Sequence, residues 1–280
     1  MAMQPITLTS GMRANLVSLQ QTNNFMEVTQ KRLATGKKVN SALDDPVAYF
    51  TAVAHEQRAT DLASRKDEMS EAVQLVKAAD TGIESIKTLI AAAKSLATSA
   101  LSADGTVAVN ALAAQYDKVL NQITDLAEDS GYKGVNLLKS GSTLKVKFDE
   151  TGDSKLELTG FNASATQGLQ IAIGTGTNAW ATDGGIDLAK IEGSITSLDK
   201  AMITLRTESS KLANNLSIIT ARQEFTQGMI NVLKDGAANL TNADMNEEGA
   251  NMLMLQTRQA LGTTSLSLAS QAAQSVLRLF

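Results

Sequence analysis

The last 32 residues read GANMLMLQTRQALGTTSLSLASQAAQSVLRLF (249–280) and carry only two charges, Arg258 and Arg278. Within them Met252, Leu255, Gln259, Gly262, Leu266, Ala269, Ala273, Val276 and Phe280 recur at alternating steps of three and four. This is the spacing of a helix that lays one stripe against another helix. With so little charge to solvate its remaining faces, such a helix needs a partner. The N-terminus holds a counterpart. Met12, Leu16, Leu19, Asn23, Met26, Gln30 and Leu33 keep the same spacing, and Arg13 is the only charge before Glu27. The two ends are therefore expected to pair with each other and with neighbours, as a terminal coiled coil built from 1–40 and 244–280. The residues between, 41–243, are expected to form a helical bundle.

Bulk composition agrees with a mainly α chain. Hydrophobic content is 43% and aromatic content only 4%. Ala, Leu, Ser and Thr do the filling, which suits thin bundles better than a thick core. The net charge of −4 offers no basic stripe, so nucleic acid is not an expected partner. Cysteine is absent, which removes disulfides, thiolate nucleophiles and thiolate-bound metals. No basic, apolar leader is visible before Ser10, and no run of 18 apolar residues exists. A membrane span and a cleaved secretory signal are not expected.

Punctuation divides the chain into thirds. Both prolines, Pro5 and Pro46, lie early, and ten of nineteen glycines fall between Gly131 and Gly185. Asp45 is an N-cap and Pro46 suits the first helical position, so a helix is expected from Pro46 to about Leu101, a rod of ~80 Å with Gly82 as a candidate bend. Asp104-Gly105 ends it, and a second stripe runs from about Thr106 to Glu128. Leu144, Val146 and Phe148, then Leu156 and Leu158, alternate with polar residues around a polar connector with Gly152, which reads as a β-hairpin in a region of about 141–175. Leu169, Ile171 and Ile173 suggest one more strand. Asp187 caps a third long helix to about Asp235, and Asp244 with Glu247 forms a capping box for the last one.

No catalytic constellation is present. His55 has no second histidine or cysteine to work with, and neither a nucleophile elbow nor a phosphate loop occurs. The acidic pairs Asp44-Asp45 and Glu247-Glu248 sit at helix starts, where the dipole favours carboxylates. Asp149 and Asp153 lack the full ligand set of a calcium loop. No enzyme activity, cofactor or metal is expected. Trp180, in a Gly/Thr/Asn/Ala stretch, serves either recognition or the pinning of a loop. What remains is association.

Three blocks resemble the bacterial flagellin family: RLATGKKVNSALDD (32–45), SGYKGVNLL (130–138), and ADMNEE (243–248) with Leu255-Gln256 and the ending ASQAAQSVL (269–277). Pro46 and Lys133 depart from the family's usual residues. The resemblance covers about residues 1–140 and 187–280. It implies a structural subunit that polymerises into the flagellar filament, with Met12, Leu16, Leu19, Met26, Leu33, Met252, Leu255, Leu266, Ala269, Ala273, Val276 and Phe280 as the polymerisation seam. It further implies self-association, possible sister flagellins, an export chaperone, filament-cap and hook-junction proteins as partners, type III export without a cleaved signal, and an extracellular location. The segment read by the host flagellin receptor falls near Ile90 to Leu96. There Lys94 stands where the family has arginine, and a point charge replaces a planar fork, so weak recognition is expected. A hook–filament junction protein is the alternative. A metallopeptidase insert is not supported, since no His-Glu-x-x-His occurs.

Overall fold

The computed structural model describes residues 10–277, with side chains to 275. Five helices dominate: α1 (Ser10–Thr35), α2 (Pro46–Leu101), α3 (Thr106–Asp129), α4 (Leu188–Thr241) and α5 (Met245–Leu277). Two small antiparallel hairpins complete the chain, β1 (Thr143–Lys147) with β2 (Lys155–Thr159), and β3 (Ala181–Thr182) with β4 (Gly185–Ile186). The chain forms two compact units, one of residues 1–57 and 232–280, the other of 58–231. The divisions fall inside α2 and α4.

Local chemistry explains the helix ends. Asp45 Oδ1 accepts from the Ala48 N–H at 3.0 Å, and Asp187 Oδ1 from the Lys190 N–H at 3.2 Å, so each caps the helix that follows it. Asp244 Oδ1 accepts from Asn246 and Glu247 at the start of α5. The end of α3 is closed from outside. Buried Asn136 donates through Nδ2 to the carbonyls of Ala127 (2.8 Å) and Glu128 (2.9 Å), while its Oδ1 accepts from the Leu138 N–H. Orphan carbonyls at a helix end require such partners.

In the 58–231 unit, α2 and α4 run antiparallel. Lys66 bonds Gln227, Ser70 bonds Gln223, Asp80 bonds Ser209 and Lys94 bonds Asp199, with one set of numbers rising as the other falls. Their core combines Met69, Val76, Ile83, Ile86 and Ile90 of α2 with Val109, Tyr116, Leu120 and Ile123 of α3 and Ile191, Leu198, Leu205 and Ile219 of α4. The hairpin covers this core with Val146, Phe148 and Leu158, in the register Leu144↔Leu158 and Val146↔Leu156. The alternation read from sequence is thus the inward face. At its turn Asp149 accepts from Gly152, Ser154 and Thr151. Burial pushes its carboxyl up, but these bonds outweigh it and hold the group below its ordinary value.

The expectation of one more strand is corrected. Leu169, Ile171 and Ile173 form no strand. Gln170 takes a left-handed φ of 54°, and the N–H groups of Leu169 and Ile171 bond back to Ser164 and Ala165 rather than to a neighbouring strand. The three apolar side chains still turn inward, so the alternation reported burial, not pairing. α2 runs unbroken through Gly82. Its role is close approach: a Cβ there would collide with Ser130 Oγ and lie 2.8 Å from Leu138 Cδ1.

Trp180 resolves in favour of pinning. It is fully buried, its Nε1–H donates to Ser194 Oγ at 3.0 Å, and its ring packs on Tyr116 with centroids 4.7 Å apart. Tyr116 in turn donates to the Ala172 carbonyl at 2.9 Å. Burial, followed by the charge of Asp117, drives the Tyr116 phenol well above its ordinary range, which keeps it a donor.

Candidate assembly surface

Within the unit of 1–57 and 232–280, α1 and α5 pack side by side. Three polar pairs mark their antiparallel sense: Arg32 with Glu248 (2.8 Å), Asn23 with Gln259 (2.9 Å) and Asn15 with Ser265 (3.4 Å). Along this pair the heptad residues take their places. Met12 and Leu255 are buried; Leu19, Met26, Leu33, Met252, Leu266, Ala269 and Ala273 are half-buried; Leu16 is 36% exposed. Gly262 lets the helices approach, since a Cβ there would lie 2.6 Å from Leu19 Cδ2. The side chain of Val276, and Phe280 altogether, lie outside the described residues.

The base of the pair is closed by backbone. The residues after α1 and those joining α4 to α5 form a small bridge, Lys37 opposite Asn242. The N–H groups of Lys38 and Val39 donate to the Thr241 carbonyl at 2.7 and 3.2 Å, and Ala243 N–H donates to the Gly36 carbonyl at 2.9 Å. Val39 and Thr241 are buried there. Above them the Glu248 carboxylate, 8% exposed, receives Arg32 at 38% exposed. Asp44 braces the same loop: its Oδ2 accepts from the Asn40 and Ser41 N–H groups, both at 2.9 Å. Those backbone bonds, Asn40 first, hold its carboxyl below the ordinary value of 3.8. The sequence block 32–45 is thus the joint that ties α1 to the α4–α5 connection.

Reading one stripe per helix missed the other faces. Val17, Phe25 and Val28 of α1 are 53%, 61% and 47% exposed, and Leu253, Leu261 and Leu268 of α5 are 67%, 66% and 62% exposed. Met254, Leu261 and Leu268 repeat every seven residues, a signal the sequence does carry. Large apolar side chains repeated along charge-poor helices mark a candidate interaction surface.

The segment suggested for receptor contact lies on α2. Ile90 is buried, Leu96 is half-buried against the core, and the Lys94 ammonium at the surface pairs with Asp199. His55, half-buried on α2, has Gly236 as a neighbour. Among the described residues no group of His, Cys, Asp or Glu could hold a metal, and no helix is long and apolar enough to cross a membrane.

Comparison with known families agrees with the architecture. The bacterial flagellin N-terminal helical region matches residues 8–143, and the bacterial flagellin C-terminal helical region matches 188–280. The chain is 28% identical to flagellin FljM of Caulobacter vibrioides over 281 residues, covering all of both chains. It is 25% identical to a flagellin of Brucella melitensis, with 99% of each covered. A Listeria monocytogenes flagellin is 22% identical over 92% of this chain and 91% of its own. With both terminal regions matched and relatives aligned from end to end, the chain belongs to the bacterial flagellin family, the structural subunits of the flagellar filament.

Proposed function

We propose that this chain adds to a growing filament by ordering its α1/α5 pair and burying that pair's outward apolar side chains against further copies of itself. The observation that carries this reading is the set Val17, Phe25, Val28, Leu253, Leu261 and Leu268, each between 47% and 67% exposed on helices with few charges. Ordering two long, charge-poor helices costs backbone entropy that a lone subunit recovers poorly. Each added copy supplies the missing apolar cover. A repeated, non-closing contact of this kind yields an open helical polymer. The seam from Met12 to Leu33 and from Met252 to Ala273 holds the pair together, and the outward residues join one pair to the next. Removing residues 266–280 tests this: the truncated chain is expected to lose seeded polymerisation, and filaments from it would overturn the reading.

The same reading assigns sister flagellins, an export chaperone for the C-terminal region, and filament-cap and hook-junction proteins as partners. It also assigns export through the flagellar apparatus without a cleaved signal. Nothing in the fold favours the hook–filament junction alternative. Weak recognition by the host flagellin receptor follows from Lys94, whose ammonium is engaged by Asp199, and from the burial of Ile90. Strong receptor activation by the purified free subunit would contradict that assignment.

A further inference from the structure

We propose that the joint between residues 36–39 and 241–243, locked by Arg32 and Glu248, is a selection clamp that commits α1 to the α5 of its own chain rather than to that of a second copy. It rests on the reading that copies crowd together during assembly.

The problem is physical. The seams of α1 and α5 are built from interchangeable Leu, Met, Ala and polar amide residues, so nothing in a stripe alone distinguishes the chain's own partner from a neighbour's. Exchange of identical elements between copies is a low-cost route to tangled oligomers. Packing of α2 on α4 in the folded 58–231 unit already sets Lys66 beside Gln227, so within one chain only residues 40–65 and 228–240 tether the two halves of the joint, whereas a second copy's half must diffuse to it. The joint turns that short tether into a fixed starting point for the seam. Three backbone hydrogen bonds hold Gly36, Lys38 and Val39 against Thr241 and Ala243. The buried side chains of Val39 and Thr241 seal it. Glu248 is nearly buried, its Oε1 accepts from Arg32, and among the described residues its buried Oε2 has no hydrogen-bond partner. A carboxylate held this way tolerates its Arg and little else. With the joint closed, the base of α5 lies beside the base of α1, and the seam zips at a local concentration of order millimolar.

The absence of cysteine makes the test clean. Asn15 and Ser265 touch across the pair, so Asn15→Cys and Ser265→Cys are placed on separate chains and mixed at high concentration. Inter-chain dimer after mild oxidation is read on a non-reducing gel, in dispersed solution and after seeding. The backgrounds are wild type, Arg32→Met, Glu248→Gln and the double reversal Arg32→Glu/Glu248→Arg. Trp180 emission confirms that the 58–231 unit is folded in each. The clamp predicts at least ~10-fold more inter-chain dimer in the two single variants than in wild type, and a return toward wild type in the reversal. Equal dimer in wild type and both single variants overturns it, whether or not filaments form. Failure of wild type to give any sedimentable polymer would instead overturn the filament reading and leave the dimer ratio to judge the clamp.

Discussion

Leu255→Ala separates ordering of the terminal pair in the free subunit from ordering on assembly. Leu255 is 6% exposed at the α1/α5 contact. Truncating a nearly buried leucine loses its transfer free energy and leaves a partly unfilled space, about 2–4 kcal/mol in all. If the pair orders only in the polymer, that cost falls wholly on the polymer. At 1.4 kcal/mol per factor of ten, the critical concentration then rises roughly 30- to 700-fold. If the pair is already ordered in the free subunit, polymer and subunit suffer alike and the critical concentration hardly moves. The assay is sedimentation of seeded assemblies over a concentration series, with thermal unfolding of the free subunit in parallel. A critical concentration within twofold of wild type would refute the coupling of helix ordering to assembly.

Other consequences are more local. Trp180→Ala should destabilise the 58–231 unit by ~3–5 kcal/mol, and Trp180→Phe, which keeps a ring against Tyr116 but loses the bond to Ser194, by ~1–2 kcal/mol; urea unfolding followed by circular dichroism checks both, and a loss under ~1 kcal/mol for the alanine variant would mean the loop is not pinned there. Asp44 has a folded pKa below its ordinary 3.8. Its stabilising contribution is therefore present above that value and lost as pH falls through the folded pKa. The difference in melting temperature between wild type and Asp44→Asn should be largest near neutral pH and shrink in acid, and a constant difference down to low pH would contradict the bonding described.

The sequence disclosed most of what depends on neighbouring residues. Pro46 after Asp45, and Asp187 before α4, announce helix starts because a cap acts within one turn. The period-2 alternation of 144–148 and 156–158 announced the hairpin. Illegible was whatever depends on a distant partner. Leu169, Ile171 and Ile173 alternate as a strand would, but among the described residues no strand pairs with them and Gln170 turns the chain. Trp180 read equally as exposed or buried, because Tyr116 and Ser194 meet it only through the fold. Glu248 read as a helix-start carboxylate and does lie in the first turn of α5, but its pairing with Arg32, 216 residues away, was not legible. The outward face of α5 was legible in the seven-residue repeat of Met254, Leu261 and Leu268. It was hidden by the assumption of one stripe per helix.

In the assembly proposed above, the outward apolar residues of the α1/α5 pair are what one subunit offers the next. Its most direct test is seeded polymerisation of Leu261→Glu/Leu268→Glu, two positions 66% and 62% exposed, where a charge costs the free chain little. The expected variant keeps wild-type Trp180 emission and thermal unfolding yet yields no sedimentable polymer. Polymer formed at the wild-type critical concentration would contradict it.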